Sequence, residues 1–474
     1  MPLSLDRSSP FFAFQKQING SDVHGRLRAG LIGEGMELSG PFGPKSLIYA
    51  DYVASGRALV QVEDFVTRHV LPHYANSHTE ASFCGQQMTR LRAQARKIIG
   101  ALCGADDRHA VIFTGSGATA GLNRLVHLFG AGPETVVLIG PYEHHSNILP
   151  WRESGATVIE IPEDDNGGPN MMALEDALKA NQGRHIIGSF SAASNVTGIM
   201  TDVKTVSWML KSHGALAIWD YAGGGPYMNM DIGLADAIVT SPHKFIGGPG
   251  ASGVMILRKA AVRQTTPSLP GGGTVSFVSP WAHDYSDDLA TREEAGTPNV
   301  IGDIRAALAF MVKDAIGQPF ISDRLAALRK RALMTWYRTP GLRILGNSKA
   351  NALPIFSFQM RDPSGALVHQ QLVTRMLSDA FGIQARGGCA CAGPYAHRLL
   401  DITAEQSDHL RSEILAGQEV EKPGWTRLGF SPLMSDTKVD QIIDAVAELA
   451  RDPHAFSGFY KLDPYTARFS PKAA

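Results

Sequence analysis

Apolar positions recur along this chain in two alternating rhythms. Short, nearly continuous apolar or β-branched runs occupy residues 110–114, 136–140, 156–162, 185–190, 215–220, 237–240 and 253–257. Runs of that length with so few polar interruptions predict strands covered on both faces. Between them the period changes to that of a helix. Leu91, Ala95, Ile98, Ile99 and Leu102 fall on one face, as do Leu122, Leu125, Val126 and Phe129. A third helix, with Val203, Val206 and Leu210 inward, is predicted to stop at Gly214. Strand–helix alternation of this kind predicts an α/β fold with a largely parallel sheet and helices on both sides.

The alternation has limits along the chain. Residues 1–45 show no long period and close on the Gly/Pro stretch SGPFGPK. Residues 46–315 carry the strand–helix pattern and read as a large domain. From 316 to 474 the segments are helix-rich with scattered strands. A helix through Val439, Ile442, Ile443, Val446 and Leu449 is predicted to close this smaller α+β domain. There is no internal repeat and no low-complexity tract.

Composition narrows the function. Hydrophobic residues make up 44% of the 474 and charged residues 19%, which excludes general disorder. Lys and Arg (44) nearly balance Asp and Glu (45). A chain without clustered positive charge is not expected to bind nucleic acid or a membrane surface. No apolar stretch approaches the roughly 20 residues that span a bilayer. The N-terminus lacks a basic region followed by an apolar core, so no secretory signal is expected. The four cysteines, Cys84, Cys103, Cys389 and Cys391, are too few for a disulfide scaffold and suit a reducing cytoplasm.

Candidate chemistry gathers where the predicted strands end. FTGSGATAGLN (113–123) is a small-residue turn opening into a helix, whose first N–H groups suit a phosphate; the alternative is an ordinary capped turn. The spacing is neither that of a dinucleotide fold nor that of a P-loop. SPHKFIGGPGASG (241–253) puts Lys244 at a strand end, where a lysine can form a Schiff base with an aldehyde cofactor while Ser241 and His243 hold a phosphate. A solvated surface lysine is the bland reading. AIWDYAGG (217–224) ends a buried strand on Asp220, a carboxylate that either caps a turn or pairs with a protonated ring nitrogen. In PYEHHSNILPW (141–151), His144 can stack on a ring or serve structure alone; Asn195, after the strand ending near Phe190, can hydrogen-bond a phenolic oxygen. ARGGCACAGPYAH (385–397) places Arg386, Cys389 and Cys391 in one glycine-rich loop. Cysteine favours burial, so two on such a loop call for a reason. Their spacing matches no standard zinc site, whereas a nearby guanidinium stabilises a thiolate.

The joint order of these segments resembles the fold-type I pyridoxal-phosphate enzymes of the class V aminotransferase family. Within it the chain is most similar to cysteine desulfurases with a short Arg-x-x-x-x-Cys loop. The resemblance runs from YADYVASG (49–56) into the C-terminal domain and includes GGGT (271–274) and EEAGTPN (293–299). It implies a large domain with a mostly parallel seven-stranded sheet, a smaller C-terminal domain packed with the N-terminal segment, and a homodimer. It further implies pyridoxal 5'-phosphate bound as a Schiff base on Lys244, with Asp220 on the ring nitrogen, His144 stacked on the ring and Asn195 at its 3-oxygen. Ala118, Thr119, Ser241 and His243 would hold the phosphate, joined by Thr274 from the partner subunit. Arg386 would bind the carboxylate of an amino-acid substrate, and Cys391 would carry sulfur as a persulfide toward a protein acceptor. The implied reaction converts L-cysteine to L-alanine. An aminotransferase, an epimerase or a lyase acting on selenocysteine or another amino acid would use the same cofactor site, and a cofactor-free binding scaffold is the reading from outside enzymology. Three departures bear on the substrate: Gly223 stands where the family has glutamine, Cys389-Ala390 replaces the usual pair before the cysteine, and the stretch from Cys391 to Arg427 is longer than in typical members.

Overall fold

A computed structural model describes residues 5–76 and 80–472. The seven predicted strands all form: β1 (His109–Gly115), β2 (Thr135–Ile139), β3 (Thr157–Glu160), β4 (His185–Ser191), β5 (Leu216–Asp220), β6 (Ala237–Thr240) and β7 (Gly253–Arg258). They make one sheet in the order β1-β7-β6-β5-β4-β2-β3. β7 runs antiparallel to both neighbours, and every other pair is parallel. Strands β2, β5 and β6 are buried or nearly so along their length, while the edge strand β3 is only partly covered. This is the pattern of a sheet flanked by helices.

The predicted helical faces account for the flanking layers. α1 (Phe83–Leu102) buries Leu91, Ala95, Ile98 and Ile99, and α2 (Gly117–Leu128) buries Leu122, Leu125 and Leu128. The α2 leucines pack with Val137, Ile139, Ile218, Val239 and Met255 of the sheet. Each such leucine, taken from water, contributes about 2 kcal/mol. α3 (Val203–Ser212) is capped by Asp202 and runs out just before Gly214, whose φ of 74° ends the turn. A hairpin of β8 (Val275–Val278) and β9 (His283–Tyr285) follows, and then the long buried helix α4 (Val300–Ile316).

The chain divides into two compact units, and the division is not linear. The first comprises residues 1–32, 55–193 and 200–318, and the second 33–54, 194–199 and 319–474. Residues 1–32 join the first because Phe11 and Phe14 set their rings against Phe65. Residues 33–54 join the second because Ile48 and Tyr49 pair in parallel with Ile383 and Gln384, and Gly429 donates its N–H to Ala50 O. Residues 194–199 are held there by the Ile199–Ala352 bridge and by Ser357 Oγ on Val196 O.

In the second unit β10 (Leu342–Ile344), β11 (Ile355–Arg361), β12 (Arg386–Gly388) and β13 (Trp425–Gly429) form an antiparallel sheet in the order β10-β11-β13-β12. α5 (Gln370–Phe381) and α8 (Asp436–Arg451) pack into its core, where Val439, Ile442, Ile443, Val446 and Leu449 are buried as predicted. Trp336 sets its ring edge-on to Phe356 and donates its indole N–H to Ile443 O. Between β12 and β13 the longer stretch forms α6 (Gly393–Leu399) and α7 (Ala404–Leu415). α7 has a capping box and buries none of its side chains. Among the described residues, no helix is long and apolar enough to cross a membrane.

Candidate active site

In the first unit, the side chains singled out by sequence lie just beyond β2, at the ends of β5 and β6, and at the start of α2. The turn Pro242–Lys244 directly follows β6. Ser241 Oγ accepts the N–H of Ala118, 2.9 Å away, in the first turn of α2. Ser116 precedes α2 without capping it through its side chain, so the helix start is left to bind something else. Gly117 has a φ of 64°, and a Cβ there would lie 2.8 Å from Ser241 Oγ and 3.2 Å from the His243 ring. Only glycine admits this close approach. Burial and the charge of Lys244 hold His243 below the ordinary histidine range, so its ring is neutral at pH 7.

Asp220 is buried at the tip of β5, where its Oδ1 accepts the N–H of Ala222 at 2.7 Å. Burial pushes its carboxyl above the usual range, and the Ala222 hydrogen bond and Lys244 pull it back. A buried carboxylate is the partner a protonated ring nitrogen requires, and the Ala222 hydrogen bond and the Lys244 charge both favour its ionised form. His144 Nδ1 accepts the N–H of Ser146 at 3.1 Å, which leaves the neutral ring's proton on Nε2. Ser146 Oγ lies 3.0 Å from His144 Nδ1 and 2.7 Å from Thr119 Oγ1. The imidazole is thereby tied to the start of α2. An uncapped helix start, a glycine cradle, a lysine and a buried aspartate together fit a phosphorylated pyridine aldehyde.

Thr274 is not drawn into this set. It is buried at the base of the β8–β9 hairpin, where its hydroxyl donates to Gly271 O at 2.7 Å. The adjoining EEAGTPN segment is structural here. Glu293 accepts from Ser268, and Glu294 holds Arg92, Arg96 and the N–H of Phe113.

Arg386, Asn195 and Cys391 belong to the second unit. Arg386 opens β12 directly opposite Arg427 of β13, with its Nε 3.0 Å from Asp51 Oδ2 and the side chain about half exposed. Arg427 is buried and reaches Asp51 Oδ1 at 3.2 Å and Asn195 O at 2.9 Å. Asp51 thus fixes both guanidinium groups, of which only that of Arg386 is open to solvent. Asn195 donates from Nδ2 to Ala390 O at 2.9 Å, while its buried Oδ1 has no hydrogen-bond partner. Cys391 is exposed and Cys389 partly so, both as free thiols. Ala390 and Cys391 have φ values of 53° and 54°, consecutive left-handed residues that only a constrained loop retains. Among the described residues, no three His, Cys, Asp or Glu side chains come together as a metal site.

Sequence reasoning passed over three residues. Asp51 lies in YADYVASG but gave no signal of its own. Ser146 and Glu143 sit beside His144 in a segment read for its histidine alone. Glu143 is buried and accepts from Asn147 Nδ2 at 2.5 Å, Ser191 Oγ at 2.7 Å and Ser191 N at 2.8 Å. Burial, with a contribution from Asp220, pushes its carboxyl up to about 7 against these three bonds. An unfolded glutamate titrates at about 4.3. The raised native value contributes stability that is complete below the unfolded pKa and is lost as pH rises through 7. From about pH 5.5 to about pH 8.5, the cofactor-free protein is expected to lose about 2 kcal/mol relative to Glu143→Gln. Urea unfolding at both pH values checks this, and parallel pH profiles for the two proteins would refute it.

With the geometry established, the chain can be placed. The family model for aminotransferase class-V matches residues 48–441, and the chain belongs to that family. A probable cysteine desulfurase of Vibrio cholerae is 30% identical over 84% of this chain and 93% of its own length. One of Halalkalibacterium halodurans is 29% identical over 76% of this chain and 87% of its own. Among solved structures, the cysteine desulfurase of Thermococcus onnurineus shares the fold with a TM-score of 0.71, at 23% identity, over 85% of this chain and 94% of that one. CsdA of Escherichia coli, also a cysteine desulfurase, aligns with a TM-score of 0.70 at 22% identity, over 90% of this chain and 98% of that one.

Proposed function

We propose that this protein is a pyridoxal-phosphate-dependent cysteine desulfurase that converts L-cysteine to L-alanine and keeps the sulfur on Cys391. The observation that carries the reading is one chain holding both the Lys244–Asp220–His144–Ser241 set and an exposed thiol in the Arg386 loop. The curated relatives named as desulfurases support it.

Pyridoxal phosphate, when bound, supplies an electron sink for the carbanion formed at the substrate's α-carbon. Lys244 would hold its aldehyde carbon and would serve as the base for the substrate α-proton. Asp220 would pair with the ring nitrogen and keep it protonated. Ser241, His243, Thr119 and the N–H groups opening α2 would take the phosphate. His144 would stack on the ring, and Asn195 would reach its 3-oxygen. Arg386, steadied by Asp51, takes the substrate carboxylate.

Cys391 then attacks the substrate sulfur as a thiolate. The carbon–sulfur bond breaks as the sulfur–sulfur bond forms, and two protons return to carbon, yielding alanine and a Cys391 persulfide. A second copy of the chain would supply Thr274. Phe277, Val278 and Trp281, exposed apolar side chains on the adjacent hairpin, support that pairing. The free cysteines favour a reducing, cytoplasmic setting, and the persulfide calls for a protein or thiol acceptor.

The test is addition of L-cysteine and a thiol reductant to protein loaded with pyridoxal phosphate. The expected result is a shift of the visible cofactor band with alanine and sulfide formed in equal amounts. A shifting band without sulfide would keep the cofactor and overturn the desulfurase, and a screen of other amino acids would then find the substrate.

A further inference from the structure

Beneath His144 lies a buried polar network that the proposed chemistry leaves unused. Glu143 Oε1 accepts the N–H of Ser191, and Oε2 accepts Ser191 Oγ and Asn147 Nδ2. Asn147 Oδ1 in turn accepts Ser189 Oγ at 2.6 Å and the indole N–H of Trp151 at 3.1 Å, while its Nδ2 also reaches Ser189 O at 3.2 Å. Asn147, Ser189 and Trp151 are wholly buried, and Glu143 is 3% exposed. A carboxylate at such depth is costly unless every lone pair is engaged, and its retention calls for a role.

Its position supplies one. Ser191 is the last residue of β4 and stands in parallel register opposite Asp220, the last residue of β5. The next N–H along, that of Ala192, donates to Asp220 O at 2.9 Å. On its other side, Glu143 immediately precedes His144, and Asn147 N–H closes the turn onto His144 O at 2.8 Å. The carboxylate therefore ties the turn after β2, which presents the stacking histidine, to the end of β4, the strand that lies beside the one ending on Asp220. Gly140 leaves the room it needs, since a Cβ there would lie 2.7 Å from Glu143 Oε1.

We infer that Glu143 is a positioning residue of the cofactor site, clamping the His144 turn through Asn147 and the end of β4, beside Asp220, through Ser191. The inference rests on the pyridoxal-phosphate reading of this site. Glutamine at 143 still accepts the Ser191 N–H, but its amide opposes the Asn147 amide, donor against donor. Asn147 cannot turn over without giving up Ser189 and Trp151. The substitution thus loosens the turn while the shape of the core is kept.

The experiment uses full-length protein and pyridoxal phosphate, with Glu143→Gln and Ser191→Ala beside the wild type. Three quantities are read: the unfolding midpoint without cofactor, the dissociation constant for pyridoxal phosphate, and the visible circular dichroism per bound cofactor, which reports how rigidly its ring is held. Glu143→Gln is expected to keep its midpoint near the wild type's at neutral pH, to bind pyridoxal phosphate about tenfold more weakly and to lose about half of the dichroism. Ser191→Ala, which removes one bond of the clamp, is expected to weaken cofactor binding about threefold and to lose about a quarter of the dichroism. Wild-type affinity and dichroism in Glu143→Gln would overturn the inference and leave the cofactor reading standing. Should that variant fail to fold, unchanged cofactor readouts in Ser191→Ala would overturn it equally. A wild-type protein that takes up no pyridoxal phosphate would overturn the cofactor reading, and this inference with it.

Discussion

Lys244→Ala is expected to lower turnover of L-cysteine by at least about 10⁴-fold and to abolish the visible band of bound cofactor. The size of the effect follows from the two tasks proposed for this one side chain, covalent capture of the cofactor aldehyde and removal of the α-proton. Truncation ends both. The fold is expected to survive, because the hydrogen bonds that shape the backbone of this turn do not use the Lys244 side chain. Ser241 Oγ still receives Ala118 N–H, and the backbone N–H of residue 244 still donates to Ser241 O. Loss of the ammonium also leaves the proton affinity of Asp220 raised further, since Lys244 is one of the groups that lowers it. Absorbance spectra and alanine formation check this. A variant that kept both the band and the turnover would remove Lys244 from the chemistry.

The second large effect is expected at Cys391. Cys391→Ser is expected to lower alanine and sulfide formation by at least about 10³-fold while cofactor binding stays intact. A hydroxyl is scarcely ionised at neutral pH and is a poor nucleophile toward sulfur. The side chain is exposed in a loop with φ near 54°, a conformation serine adopts at no greater cost than cysteine. The change should therefore remove the nucleophile and little else. Cys389→Ser, two positions away in the same loop, serves as the control, and an unchanged rate there would assign the sulfur-bearing role to Cys391 alone. Full desulfuration by Cys391→Ser would instead send the sulfur chemistry to another group and favour an aminotransferase, epimerase or lyase reading of the same cofactor site.

The two sites differ in how much geometry supports each residue. Ser241 accepts the Ala118 N–H at the start of α2, His144 reaches Thr119 of α2 through Ser146, and the Lys244 N–H donates to Ser241 O. The thiol loop is held differently. Its left-handed pair at 390 and 391 is pinned by Asn195 Nδ2 on Ala390 O, and its arginine by Asp51. A strained loop with one pinned carbonyl suits a thiol that must first attack a substrate and then be reached by an acceptor.

Much of this architecture was legible in the sequence because the signals are local. A strand buried on both faces must be apolar at nearly every position, so the buried strands of the large sheet stood out, and the partly covered edge strand β3 stood out with them. Helices on a sheet must be apolar at helical spacing, so α1, α2, α3 and α8 did as well. Glycine where a backbone must bend or approach closely, and a reactive side chain at a strand's end, marked Gly117, Asp220 and Lys244 without reference to any neighbour. Other properties have no local signature. Glu143 reads as a surface residue until the fold brings Ser191 and Asn147 around it. Asp51 looks like any acid in a loop until Arg386 and Arg427 arrive from strands far along the chain. Residues 33–54 and 194–199 take their place in the second unit through pairings with partners hundreds of residues away. Periodicity along the chain decides which face of an element is buried. Which polar groups then meet, and at what cost in proton affinity, is decided only when distant segments are packed together.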